Sequence, residues 1–137
     1  MRTLHTAFRV DDIARSLAFY GALGFIEVGR VAPQPGLTLI MLRLPDDRAV
    51  SLELVHDPDA GPLVVGTGFH HLVVQVEQLD PLLAALRAAG IAHEVPARPG
   101  GPDGPYTAFL TDPDGWRLEL VQWPDGHGDG MTEADFR

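Results

Sequence analysis

The sequence has no cysteine. That excludes disulfides, zinc–thiolate sites and a cysteine nucleophile, and it removes the usual compositional clue to redox compartment. Positive charge is scarce: 10 Lys and Arg stand against 19 Asp and Glu, a formal net charge of −9. Nucleic acid and an anionic membrane surface both need a basic face, so neither is an expected partner. No apolar run approaches the length required to cross a bilayer. The opening MRTLHTAFRVDD lacks the apolar core of a signal peptide, and the cytoplasm is the expected compartment.

What is present fits one soluble domain. The 137 residues are 45% hydrophobic and 21% charged, enough to build a core. With 12 Pro and 15 Gly, many turns should separate short elements.

The chain repeats itself. Shifted by 66 residues without a gap, HTAFRVDDIARSLAFYGALGF from His5 falls on HLVVQVEQLDPLLAALRAAGI from His71. Val10 meets Val76, Leu17 meets Leu83, Gly24 meets Gly90, and LELV at 52–55 meets LELV at 118–121. Each half places a His 48 residues before a Glu: His5 and Glu53, then His71 and Glu119. A fixed internal period marks a repeated supersecondary unit. Module 1 spans about 2–58, a connection 57–68, module 2 about 69–123, and a polar tail 124–137.

Each half reads as strand, helix, then three strands. In the first, TLHTAFRV is extended, Asp11 or Asp12 caps a helix carrying Ile13, Leu17, Phe19, Tyr20 and Leu23, and Gly24 suits its end. FIEVGRV, LTLIMLRL and AVSLELVH follow as strands separated by turns. The second half repeats the order with FHHLVVQV, a helix over about 79–89 opened by Asp80-Pro81, a strand near 91–95, then YTAFLT, the DPDG turn and WRLELVQ. One turn of helix started by Thr132 is expected in the tail.

Strand alternation sorts the faces. Leu52 and Leu54 oppose Ser51, Glu53 and Val55; Leu118 and Leu120 oppose Arg117, Glu119 and Val121. His5 shares a face with Ala7 and Arg9, and His71 with Val73 and Gln75. His70 falls on the other face, with Leu72, Val74 and Val76, as a packing or edge residue. The apolar faces can take the helices, leaving His5, Glu53, His71 and Glu119 at equivalent places on the open faces. Two imidazoles and two carboxylates suit a borderline divalent metal such as Ni²⁺, Co²⁺, Zn²⁺ or Fe²⁺. Without a cation, two close carboxylates repel and one is forced to take a proton.

At these residues the sequence resembles the vicinal oxygen chelate superfamily, and within it glyoxalase I (lactoylglutathione lyase) of the short bacterial type. The likeness covers residues 2–123 and rests on LHTAFRVDDIARSLAFYGALGF, SLELV, GTGFHHLVVQV and TDPDGWRLELV. The resemblance implies an α+β fold of two tandem βαβββ modules whose curved mixed sheets surround a metal site. It implies a homodimer, often with one His/Glu pair from each chain at a shared site. His5, Glu53, His71 and Glu119 would be the metal ligands, with nickel or cobalt favoured over zinc or iron. The implied reaction detoxifies methylglyoxal, isomerising its hemithioacetal with glutathione or another thiol to an S-lactoyl thioester. Glu119 would be the base that moves the proton, with Glu53 opposite it. Arg9 would bind a carboxylate of the thiol co-substrate, and Arg98 in the loop PARPGGPDGP could clamp the same ligand. Asp57 stands where the glutathione enzymes usually carry Asn, so the thiol itself stays open.

Two other classes compete. One is another metal enzyme of the superfamily, an epimerase, extradiol dioxygenase or thiol transferase. The family epimerases have Gln where this chain has Glu53, and the other two use three protein ligands. The second is a non-catalytic protein that sequesters a drug in an apolar cleft, against which the metal-ligand quartet argues.

Overall fold

The computed structural model describes residues 1–137. It is α+β and falls into two compact units, 1–69 with 112–116, and 70–111 with 117–137. The first unit holds β1 (Thr6–Arg9), α1 (Ile13–Ala22), β2 (Ile26–Gln34), β3 (Leu37–Arg43) and β4 (Leu52–His56). Its sheet runs β1-β4-β3-β2. The second holds β5 (Leu72–Gln75), α2 (Leu79–Ala88), β6 (Tyr106–Thr111) and β7 (Arg117–Gln122), with sheet order β5-β7-β6.

The first and last strands of each half are parallel neighbours in the same register. Ala7 lies opposite Glu53 on β1 and β4, and Val73 lies opposite Glu119 on β5 and β7. Parallel neighbours need a long crossover, which α1 with β2 and β3 supplies in one half and α2 with β6 in the other. The apolar face falls as alternation requires: Leu52, Leu54, Leu118 and Leu120 are fully buried. Each such side chain contributes about 1.5–3 kcal/mol by leaving water.

Both helices form where the spacing places them. Asp12 caps α1, its Oδ1 accepting the Arg15 N–H at 2.9 Å, and Gly24 follows the C-terminus at φ 100°, where a side chain would be strained. Ser16, Phe19 and Tyr20 form its buried stripe. α2 buries Leu79, Leu83 and Leu86 at i, i+4 and i+7, and Pro81 sits in its first turn, where the missing N–H costs nothing. Gln122 on β7 closes the start of α2 by accepting the Leu79 N–H at 2.8 Å. The tail forms its expected single turn, Glu133–Phe136, capped by Thr132.

The expected strand at 91–95 does not form. Residues 91–96 touch β6 through isolated bonds: the Glu94 N–H donates to Phe109 O at 2.8 Å, and Ala97 pairs with Thr107. The register slips by one residue between these contacts, at Val95-Pro96. Pro96 has no N–H to continue a ladder, and Pro99 and Gly100 follow at once. The equivalent stretch of the first half, free of proline until Pro33, makes the nine-residue β2.

Within the first unit, Asp112 organises the DPDG turn. Its Oδ1 accepts the N–H groups of Asp114 and Trp116 at 2.8 and 2.9 Å, and its Oδ2 accepts the Tyr20 hydroxyl at 2.8 Å. Asp114 then accepts from Arg15, Ser16 and the Asp11 N–H at the start of α1. Trp116 stacks on Phe8 at 4.7 Å and donates to Arg9 O.

Burial holds the Asp112 carboxyl above the usual aspartate range, while Tyr20 and the two turn amides pull it back. A raised folded-state value means that folding favours the protonated form. The contribution of Asp112 itself is therefore complete in acid and declines as pH rises through that value. The Tyr20 hydrogen bond has the opposite sign, because it favours the carboxylate. Tyr20→Phe should thus cost about 1–3 kcal/mol in urea unfolding at neutral pH, and less in acid. An equal cost at both would contradict this assignment.

Candidate functional site

Each unit presents one His/Glu pair on the open face of its sheet. In the first, His5 Nε2 lies 2.8 Å from Glu53 Oε2, with the two side chains 25% and 16% exposed. In the second, His71 Nε2 lies 3.2 Å from Glu119 Oε2, with 25% and 17% exposed. The geometry follows from register. Glu53 is opposite Ala7, and His5 is two residues before Ala7 on the same face; Glu119, Val73 and His71 repeat this. Long side chains bridge such a diagonal.

The donor set fits a divalent cation. At bond lengths of about 2.0–2.2 Å to imidazole nitrogen and carboxylate oxygen, two adjacent ligands of one ion stand about 3 Å apart. Both pairs have that separation. Each pair offers two donors, and no group of three or more His, Asp or Glu side chains placed to hold a metal is found.

The other expected residues lie at different stations. Arg9 is on the His5 face of β1, and its Nη2 donates to the carbonyls of Asp57 and Gly61. Asp57 therefore meets Arg9 through its backbone, after the end of β4. Arg98 is exposed; its Nη1 donates to Gly104 O at 2.9 Å and its guanidinium lies 4.8 Å from the Tyr106 ring centre, so it folds the 98–104 loop on itself. His70, expected as a packing or edge residue, is the latter: it stands two residues before β5, is exposed and turns its ring to His71.

Three surroundings of the pairs escaped the sequence. Phe109, opposite Glu119 on β6, meets the His71 ring edge-to-face at 5.3 Å. Arg117 lies 4.0 Å over the same Phe109 ring and pairs with Glu94 at 2.9 Å. The repeat sets Phe109 on Arg43 and Arg117 on Ser51, so it carries no signal for either; only strand register does. Ser51 Oγ, two residues before Glu53, is buried with no hydrogen-bond partner.

A further feature lies at the end of each half. Gln75 is the repeat equivalent of Arg9. It accepts from Trp123 Nε1 and the Gly130 N–H and donates to Asp129. In both units, the residue four after the His ties down the segment that follows the last strand.

Comparison with known proteins decides the family. Residues 2–120 match the model of the Glyoxalase/Bleomycin resistance protein/Dioxygenase superfamily. The chain belongs to that superfamily. It is 30% identical to a lactoylglutathione lyase of Haemophilus influenzae, over 89% of this chain and 93% of that one. It is 28% identical to the lactoylglutathione lyase of Escherichia coli, over 95% and 99%. Against the plant lactoylglutathione lyase of Arabidopsis thaliana it spans only 44% of the relative's length. Among solved structures, the trypanothione-dependent glyoxalase I of Leishmania major superposes with a TM-score of 0.73 at 29% identity, over 89% of this chain and 86% of that one. A bleomycin-binding protein, at 24% identity and a TM-score of 0.60, shares the fold. No helix is long and apolar enough to cross a membrane.

In this superfamily member the Arg9 anchor has a direct check. Arg9→Ala should release the segment after β4, and limited proteolysis should then cut within 57–68 faster than in the wild type. Unchanged cleavage would show that the two carbonyl bonds do not hold the segment.

Proposed function

We propose that the protein is a metal-dependent glyoxalase-I-type lyase. It isomerises the hemithioacetal of methylglyoxal and a low-molecular-weight thiol to an S-lactoyl thioester through an enediolate. The observation that carries this reading is the twice-presented His/Glu pair, matched in register and in exposure. The named relatives support the same reaction class.

His5, Glu53, His71 and Glu119 would hold the cation, nickel or cobalt before zinc or iron. When bound, it supplies Lewis acidity that stabilises negative charge developing on the substrate oxygens. Glu119 removes the proton from C1 of the hemithioacetal and returns it at C2. Glu53 stands as the opposed carboxylate for the other face of the substrate. Arg9 uses only Nη2 to reach the chain, so its remaining N–H groups are free to bind a carboxylate of the thiol. Arg98 would close over the same ligand. Asp57 disfavours an anionic thiol, and the trypanothione dependence of the Leishmania major relative makes thiols other than glutathione worth including. A free thiol pool fits a cytoplasmic setting.

The test is a matrix of metals and thiols with methylglyoxal, read by thioester absorbance. Turnover with nickel or cobalt is expected, with Glu119→Gln slower by roughly 10²–10⁴-fold. Absence of turnover with every metal and thiol, while metal is bound, would overturn the reading.

The working form proposed is a homodimer in which the first pair of one protomer and the second pair of its partner, each a half-set of two donors, meet at a shared site. His5→Ala and His71→Ala chains should each be inactive. Mixed after dissociation, they should regain roughly a quarter of wild-type activity, because half of the dimers are mixed and each has one intact site. No recovery in chains shown to have exchanged would contradict the shared site.

A further inference from the structure

One of the two His ligands proposed, His71, has an imidazole neighbour that the other lacks. His71 Nδ1 lies 2.5 Å from Nδ1 of His70, with ring centres 4.8 Å apart and planes at 70°. His5 has no such neighbour: the residue before it, at the repeat position of His70, is Leu4, which is 77% exposed and has no hydrogen-bonding side chain.

That contact constrains both rings. Two imidazole Nδ1 atoms at hydrogen-bond distance need one donor and one acceptor. A neutral imidazole carries a single N–H, and a nitrogen that coordinates a cation must be bare. If His71 is to coordinate through Nε2, the nitrogen facing Glu119, its proton must sit on Nδ1. His70 then has to accept at Nδ1 and carry its own proton on Nε2. His70 is exposed, so its Nε2–H can be satisfied by water.

We infer that His70 is a positioning residue: it accepts the His71 Nδ1–H and holds that ring in the tautomer and orientation in which Nε2 is free for a divalent cation. The inference rests on the proposed ligand role of His71. Its consequence is that the second half-set is pre-organised and the first is not. Partners of this kind on the outer side of a ligating imidazole typically contribute 10–100-fold in metal affinity. The edge of Phe109 against His71 adds a second restraint on the same ring.

The test uses two substitutions and two readouts on the full chain. His70→Leu copies the first half and removes the acceptor; His70→Asn keeps an acceptor oxygen near the place of Nδ1. The first readout is ¹⁵N NMR of the imidazoles in metal-free protein. His71 should be the Nδ1–H tautomer in the wild type and in His70→Asn, and should shift toward Nε2–H in His70→Leu. The second is titration with Ni²⁺ alone. His70→Leu should bind about 10–100-fold more weakly, and His70→Asn within a few-fold of wild type. An unchanged His71 spectrum in His70→Leu, or unchanged Ni²⁺ affinity in that variant while His71→Ala abolishes binding, would overturn the role of His70. Unchanged Ni²⁺ binding in His71→Ala would instead overturn the ligand assignment beneath it, and this inference with it.

Discussion

The structure depends on the parallel pairing of the first and last strands of each half. That pairing fixes Ala7 opposite Glu53 and Val73 opposite Glu119, and the imidazoles two residues earlier then have one reachable partner each. A slip of one residue would send Glu53 into the core and expose Leu52 and Leu54, both fully buried. The hydrophobic face and the His/Glu pairs are thus two outcomes of one register. Core leucines that stabilise the sheet also hold the carboxylates on its open side.

Around that frame the polar groups are arranged by task. Asp112 is buried, but it accepts from a hydroxyl and two backbone amides, so its burial is compensated and the DPDG turn is held in one shape. Asp114 is set at the start of α1, where a carboxylate is favoured by the helix dipole and by its unpaired N–H groups. These two acids account for the turn's sequence by the hydrogen bonds they accept. The pair residues are different in kind: partly exposed, with each His close to one Glu. Arg9 and Gln75 belong between these classes, each tying a chain segment beside a pair.

Most of the fold was legible because it is local or repeated. Helix spacing and caps placed α1 and α2, and alternation placed the leucine face. The 66-residue period linked His5 to His71 and Glu53 to Glu119, a long-range match that no single half displays. What failed has physical reasons. The repeat predicts a strand at 91–95 in the place of β2, but Pro96 removes an amide where the ladder needs one. His70 has two readings, packing or edge, and its place before the strand's first residue, Leu72, leaves it exposed at the edge. Phe109 beside His71, and the contact Arg117 makes with it, lie where the halves have diverged, at the positions of Arg43 and Ser51, so the repeat carries no signal for them. Repetition reveals what both halves keep; the features that make them unequal come only from the folded register.

The central claim is that the two half-sets hold one cation together, and the most direct measurement is the X-ray absorption spectrum of the nickel-loaded protein. The account predicts two imidazole ligands with the remaining donors oxygen, falling to one imidazole in His71→Ala and to one in His5→Ala. A site with one imidazole in the wild type, or one left unchanged by either substitution, would contradict it.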